Sequence, residues 1–139
     1  MSFIVNQLSK FEWEGCAEKA HLIVFGEERH FMMNRIDFAL TVKTGDKHIG
    51  YLTAKEMDSE TLYWQYGGAL PDCSPGEIVP SYIAFVDWSL ERYKRITTKI
   101  ENTNIKMLHL AMKMGFLIVG TWNFDGKIYL ELLNERKNQ

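Results

Sequence analysis

Three consecutive segments of alternating apolar and polar residues, separated by short turns, constrain the fold of this chain most strongly. In the first, RIDFALTV, one face holds the apolar side chains of Ile36, Phe38, Leu40 and Val42. Alternation with a period of two predicts a half-buried strand. The pair Gly45-Asp46 follows as a turn, and KHIGYLTAKEM and TLYWQYGGAL continue the alternation around a second turn at Asp58-Ser59. These segments predict three antiparallel strands joined by hairpins.

The rest of the chain alternates helical and extended patterns. SYIAFVDWSLERY predicts a helix, RITTKIE a strand, and FLIVGTWNF with KIYLELL a closing hairpin around Asp125-Gly126. The sequence allows two first residues for this helix. Ser74 and Glu77 have the spacing of a capping box with Pro75 at the first helical position, whereas Pro80 suits a later first position equally well.

The segment NTNIKMLHLAMKMGF predicts a capped amphipathic helix. Asn104 is a favourable N-cap, and Gly115 suits the left-handed residue that often ends a helix. The apolar side chains predicted to face inward are those of Leu108, Ala111 and Met112. The polar face holds Lys106, His109 and Lys113.

The N-terminal part, residues 7 to 27, has apolar residues at three- and four-residue spacing, which predicts one or two short helices. The last six residues, 134–139, are expected to fray. The element order is therefore helices, three antiparallel strands, helix, strand, helix and a final hairpin. This order predicts a mixed α/β fold in which residues 1–139 form one domain.

Charge and composition exclude several classes of protein. Sixteen basic and eighteen acidic side chains give a net charge of −2 over 139 residues, too balanced to attract nucleic acid or an anionic membrane. No signal peptide or membrane-spanning run is evident, so we expect a cytoplasmic protein. Two cysteines are too few for a disulfide framework, and four scattered histidines predict no metal site.

The element order, together with NIKMLHLAMKMGF, resembles the GNAT superfamily of acyl-CoA-dependent N-acyltransferases. The residues at offsets that match a typical final motif of that family are Asn104, Met107, Leu110, Lys113, Gly115 and Phe116. The order matches over roughly residues 36–133. The resemblance implies a mainly antiparallel sheet in which one parallel pair of strands, TLYWQYGGAL and RITTKIE, splays apart. It also implies that acetyl-CoA binds between these two strands as co-substrate and that the acceptor is an amine.

The resemblance also implies which residues contact the acyl donor. Two adjacent glycines, Gly67-Gly68, commonly mark a bulge or a close backbone approach within a strand. In the family a bulge donor polarises the thioester carbonyl. The cofactor-binding residues implied for this chain are Gly68, Ala69, Leu70, Cys73, Ser74, Gly76 and Asn104.

The chain departs from the family pattern in two places. The pyrophosphate loop CSPGEIVP has one glycine, two prolines without N–H donors, and Glu77, whose charge opposes phosphate. Ala111 stands where many relatives have a tyrosine that returns a proton to the leaving thiolate. Glu101, Asp72 and Glu77 are candidate general bases that spacing does not rank, so the catalytic residues stay unassigned.

Two functions follow from the sequence. The first is an acyl-CoA-dependent N-acetyltransferase acting on a small molecule or a protein amine. The alternative, favoured by the poor loop and the missing tyrosine, is a non-catalytic GNAT-fold module that binds a ligand or another protein. Exposed edge strands make a homodimer a reasonable expectation.

Overall fold

The structure is a computed structural model, and it describes residues 2–9 and 37–136. Seven strands and two α-helices make up this part of the chain. In chain order they are β1 (Ile4–Ser9), β2 (Phe38–Thr44), β3 (Lys47–Asp58), β4 (Thr61–Ala69), α1 (Ile78–Arg92), β5 (Arg95–Glu101), α2 (Ile105–Lys113), β6 (Leu117–Phe124) and β7 (Lys127–Glu135). A turn of 3-10 helix, Pro75–Glu77, leads directly into α1.

The strands form one sheet in the order β1-β2-β3-β4-β5-β7-β6. Every neighbouring pair is antiparallel except β4 and β5, which run parallel. The α1 helix supplies the crossover that a parallel pair requires. The predicted mixed α/β fold, mainly antiparallel with one parallel pair, is therefore confirmed. Within the described residues, neither helix has the length and apolar content needed to cross a membrane.

The first hairpin forms as the alternation predicts. Phe38, Leu40 and Val42 are buried on one face of β2, while the predicted Ile36 lies outside the described residues. Gly45 occupies the following turn at φ +60°, a conformation that L side chains rarely adopt.

The second turn lies one residue later than predicted. It consists of Ser59 and Glu60, because β3 extends through Asp58, whose Oδ1 accepts a hydrogen bond from the Glu60 N–H at 2.8 Å. The final hairpin turn is at Asp125 and Gly126, as predicted, with φ values of 52° and 74°. Positive φ at both central residues is the requirement of a type I′ turn.

The N-terminal residues form a strand, where the sequence pattern predicted helix from residue 7. Residues 7–9 belong to β1, which pairs with β2, so the predicted helix cannot begin at residue 7. The remainder of that prediction, residues 10–27, lies outside the described residues. Phe3 and Val5 pack against the core and Ile4 between them is exposed, which is the alternation of a strand.

The core lies between the sheet and the two helices, and Trp64 of β4 is near its centre. Its ring centroid is 6.5 Å from that of Phe85 on α1 and 5.5 Å from that of Phe116, which follows α2. The indole Nε1 donates a hydrogen bond to Ser89 Oγ on α1 at 3.1 Å. Trp64 therefore ties β4 to both helical elements.

The ends of α2 are as predicted. Asn104 Oδ1 accepts a hydrogen bond from the Met107 N–H at 3.3 Å, and Gly115 has φ +98°.

The expectation that residues 134–139 fray is wrong for the first of these residues. Asn134 is buried in β7 and donates from Nδ2 to the Met114 carbonyl at 3.0 Å, which satisfies an acceptor at the end of α2. Residues 137–139 lie outside the described residues.

The buried face of α2 differs from the prediction at one residue. Leu108 and Ala111 are buried, and the three polar residues predicted for the outer face are exposed. Met112, predicted to face inward, is 53% exposed. Successive residues of a helix are rotated by about 100°, so a narrow stripe centred on Leu108 and Ala111 leaves Met112 in solvent.

Both prolines considered for the start of the first helix, Pro75 and Pro80, lie at its N-terminal end. Ser74 precedes the 3-10 turn Pro75–Glu77, which continues into α1 at Ile78. Pro80 then lies in the first turn of α1, where a backbone N–H would have no partner within the α-helix. The change from 3-10 to α-helix at Ile78 allows both prolines to be accommodated.

Candidate functional site

The parallel strands β4 and β5 separate part-way along their length and open the sheet. They pair from Thr61 with Arg95 as far as Trp64 with Thr98, and share no further pair. Beyond that point β4 continues alongside β3 and β5 alongside β7. The predicted splay is present, although it begins after Trp64, before the glycines are reached.

A threonine side chain makes a hydrogen bond between the two strands at the point where they separate. Thr98 Oγ1 donates a hydrogen bond to the Trp64 carbonyl at 3.0 Å. The hydroxyl thus satisfies a backbone acceptor at the point where strand pairing stops.

A β-bulge lies immediately after this point. Tyr66 is opposite Thr53 and Trp64 is opposite Ala54, so Gln65 has no partner residue on β3. The Tyr66 N–H donates to Thr53 Oγ1 at 3.1 Å. The bulge predicted at Gly67-Gly68 is therefore at Gln65 instead, because the threonine hydroxyl stabilises it there.

The edge of β4 that faces the opening presents backbone groups at alternate residues. Leu70 donates its N–H to the Ile49 carbonyl on β3 at 2.9 Å, and Gly68 pairs with the same strand. Backbone polar groups of successive strand residues point to opposite sides. Those of Gly67 and Ala69 therefore point into the opening.

Of the strand residues predicted to contact the acyl donor, Ala69 thus directs its backbone into the opening, whereas Gly68 and Leu70 direct theirs to β3. Gly67, the first residue of the predicted glycine pair, also directs its backbone into the opening. A Cβ atom at Gly67 would lie 3.0 Å from Leu52 Cδ1 and 3.2 Å from the Tyr51 carbonyl oxygen. A side chain at Gly67 would press on β3, so glycine suits the close approach of β3 and β4.

The loop after β4 is organised around the Glu77 carboxylate. Glu77 Oε1 accepts hydrogen bonds from the Ser74 N–H at 3.0 Å, the Ser74 hydroxyl at 2.8 Å and the Lys47 ammonium at 3.0 Å. The Glu77 side chain is only 14% exposed. Lys47 thus offsets the negative charge of Glu77, which was expected to oppose phosphate. The Ser74 N–H is donated to Glu77 and is therefore not free to bind an anion.

These contacts predict a dependence of stability on pH. The Ser74 N–H, then the Ser74 hydroxyl and Lys47, lower the pKa of Glu77 from 4.5 to about 2. A lowered folded-state pKa contributes stability above pH 4.5 that is lost as the pH falls towards 2. Glu77→Gln should therefore reduce the change in urea midpoint between these pH values, and Lys47→Met should reduce it in part. An unchanged pH dependence in Glu77→Gln would contradict the assignment.

The other predicted loop residues lie close to the mouth of the opening. Cys73 is partly buried and donates its N–H to the Leu70 carbonyl at 2.9 Å. Burial, and secondarily Glu77, raise the pKa of its thiol. Gly76 is exposed, with no atom within 4 Å of the position of a Cβ. The carboxyl ends of parallel strands meet at one edge of a sheet, so Asn104, which follows β5, lies at the same edge as this loop.

The residues considered for proton transfer lie in different environments. Ala111 is 1% exposed and packs in the core, so it offers no proton donor. Among the three candidate bases, Glu77 is held by Ser74 and Lys47, Asp72 is exposed in a turn, and Glu101 is partly buried at the end of β5.

A groove of about 580 Å³ lies elsewhere in the molecule, at the end of the sheet where β5 begins. Its lining includes Val86, Leu90, Met114, Leu133 and Arg136. It is at the opposite end of β5 from the opening and forms no part of this site.

The bulged strand, its splayed parallel neighbour and the crossover helix between them define the class of fold: that of the GNAT acetyltransferases. No family model and no curated protein matches the sequence. A GNAT family acetyltransferase structure from Bacillus cereus matches with a TM-score of 0.77 at 15% identity, covering 99% of this chain and 100% of that one.

Two further solved structures agree. The ribosomal-protein-S18-alanine N-acetyltransferase from Escherichia coli has a TM-score of 0.75 at 11% identity, over 96% of this chain and 94% of that one. A GNAT family acetyltransferase from Elizabethkingia anophelis, solved with acetyl-CoA bound, has a TM-score of 0.72 at 14% identity, over 96% and 98%. The fold implied by the resemblance is confirmed.

Proposed function

We propose that the protein is an acyl-CoA-dependent N-acetyltransferase that moves an acetyl group from acetyl-CoA to an amine. The opening between β4 and β5, with backbone groups of Gly67 and Ala69 directed into it, is the observation that carries this proposal. An extended chain with amide groups can pair with such an edge as an additional strand. The pantetheine arm of coenzyme A is a chain of this kind.

The pyrophosphate would lie against the loop that contains Cys73, Ser74 and Gly76. The N-terminus of the 15-residue α1 helix attracts an anion there, and Lys47 offsets the charge of Glu77. The Ser74 N–H is unavailable because it is donated to Glu77. We therefore expect weak rather than tight binding of coenzyme A, with Asn104 as a further contact.

Bound acetyl-CoA supplies the activated acyl thioester. The Gly67 N–H, which points into the opening, would donate a hydrogen bond to the thioester oxygen, where negative charge develops as the amine attacks. The N–C bond forms, the C–S bond breaks, and the amine nitrogen releases one proton to solvent. The leaving thiolate takes one proton from water because Ala111 has none to give.

Two classes of acceptor fit this proposal. The Escherichia coli protein is named for a ribosomal-protein alanine, and another structure of this fold is described in complex with ribostamycin and coenzyme A. A small-molecule amine and a protein amine are both compatible with the proposal. The cytoplasmic location and the homodimer expected from the sequence stay predictions.

Acetyl-CoA should raise the melting temperature of the protein. At about 100 times its dissociation constant, a ligand that binds only the folded state stabilises it by about 2.7 kcal/mol. S-acetylpantetheine, which lacks the pyrophosphate, should produce a smaller shift. Gly76→Val should weaken acetyl-CoA binding without changing the response to S-acetylpantetheine, and Asn104→Ala should weaken both. Calorimetry and thermal denaturation measure these effects.

The non-catalytic module remains the second candidate, because Ala111 and the engaged Ser74 N–H both remove expected functions. It predicts no amine-dependent release of coenzyme A thiol, whether or not acetyl-CoA binds. A melting temperature unchanged by millimolar acetyl-CoA would reject the acetyltransferase.

A further inference from the structure

The side of the sheet away from α1 and α2 has an aromatic surface next to the opening. Its members, here called the aromatic face, are Tyr63 of β4, Trp122 and Phe124 of β6, and Tyr129 of β7. The rings of Trp122 and Phe124 stack with centroids 5.1 Å apart, and those of Trp122 and Tyr129 are 5.6 Å apart. Trp122 is 39% and Phe124 58% exposed, so a bound molecule can reach them.

Lys99 of β5 lies over this aromatic face. Its Nζ is 4.1 Å from the centroid of the Trp122 ring and 5.8 Å from that of Tyr63. No carboxylate of the described residues lies within 4.0 Å of it, although Glu131 is its direct cross-strand partner on β7. The aromatic rings hold the ammonium in position, and its charge stays available to an anion.

Glu131 faces the same side of the sheet. Its Oε2 is 3.4 Å from the position that a Cβ of Gly120 would occupy on β6. Glu131 and Tyr129 also contribute, after burial and Tyr66, to raising the pKa of Tyr63. A positive and a negative group therefore lie on neighbouring strands without forming an ion pair with each other.

Lys99 and Glu131 lie at the place where the acetyl group of acetyl-CoA would react. The last paired residues of β4 and β5 are Trp64 and Thr98, and Lys99 is the next residue of β5. A molecule held on the aromatic face by Lys99 would thus be adjacent to the opening.

We propose that the aromatic face binds the acceptor, and that the acceptor is an α-amino acid with an aromatic side chain. This inference rests on the proposed acetyltransferase function. Lys99 pairs with the carboxylate, Glu131 attracts the ammonium, and the ring stacks on Trp122 and Phe124. One cation opposite one anion suits a zwitterion, whereas a doubly charged phosphate would be repelled by Glu131.

The reaction balances with these groups. The ammonium loses a proton to Glu131 and from there to solvent. The free amine nitrogen bonds to the acetyl carbon, the C–S bond breaks, and the second amine proton is released as the amide forms. The thiolate gains one proton, so one proton is released overall.

The test compares phenylalanine with phenethylamine, which lacks only the carboxylate, at saturating acetyl-CoA. The wild-type protein should show a kcat/KM for phenylalanine at least about tenfold higher. Lys99→Met should lower the value for phenylalanine by about 10–100-fold, the usual effect of losing a charged hydrogen bond, and leave phenethylamine within about twofold. Lys99→Arg should retain most of the preference. Lys106→Met, on an exposed lysine of α2, is the matched control and should change neither value.

Calorimetry of phenylalanine binding provides a readout that does not depend on transfer, and urea unfolding shows whether each variant folds. Equal use of the two amines, or an equal loss for both in Lys99→Met, would overturn the acceptor assignment. Acetyl-CoA binding without any binding of phenylalanine would overturn it while leaving the proposed function intact. Failure of acetyl-CoA itself to bind would instead remove the proposed function.

Discussion

Replacing Trp64 by alanine should lower the free energy of unfolding by about 3–5 kcal/mol, the usual cost of removing a large buried aromatic side chain. Trp64 is 4% exposed and contacts Phe85 and Phe116. Its removal leaves a cavity between the sheet and both helices, and it leaves the Ser89 hydroxyl, which is fully buried, without its donor.

Equilibrium urea unfolding measures this loss, and Trp122→Ala is the matched control. Trp122 is 39% exposed, so the same substitution there should cost much less. Trp64→Phe should give an intermediate loss, because it keeps most of the apolar contact and removes the hydrogen bond. Similar midpoint shifts for Trp64→Ala and Trp122→Ala would show that the core is not centred on Trp64.

Leu108→Ala should also be strongly destabilising, with a loss of about 2–5 kcal/mol. Leu108 is 7% exposed and belongs to the core cluster, so its truncation loses apolar burial and creates a cavity beneath α2. Met112→Ala on the same helix tests the face directly. Met112 is 53% exposed, and alanine is the best helix former, so its replacement should cost little.

Urea midpoints of Leu108→Ala, Met112→Ala and Lys106→Ala provide the comparison. The first should fall well below the other two. Equal shifts for Leu108→Ala and Met112→Ala would mean that α2 is rotated relative to the sheet.

The local elements of this fold were predictable because each has its own chemical signal. Alternation identified β2 and β3, the Asp125-Gly126 pair identified the last hairpin, and Asn104 and Gly115 marked the ends of α2. β1 was missed because its alternation is short and merges with a segment of helical spacing. The bulge was misplaced because glycine is the usual sign, whereas here the Thr53 hydroxyl stabilises an extra residue at Gln65.

The candidate site was predictable only where a resemblance supplied the positions. Asn104 and the loop around Ser74 followed from the family motif, and the structure adds how Lys47 and Glu77 change that loop. Thr98 and Lys99 gave no signal, because a threonine and a lysine in a strand are ordinary residues. Their importance depends on strand register, which decides that pairing stops at Thr98 and that Lys99 meets Trp122.

The separation of β4 from β5 also has a kinetic consequence. Because the two strands share no pair beyond Trp64 and Thr98, a ligand that enters between them displaces no strand hydrogen bond. Association should then proceed without a preceding opening step. Differences in affinity among donors with longer or bulkier acyl groups should accordingly appear as differences in how long each complex lasts.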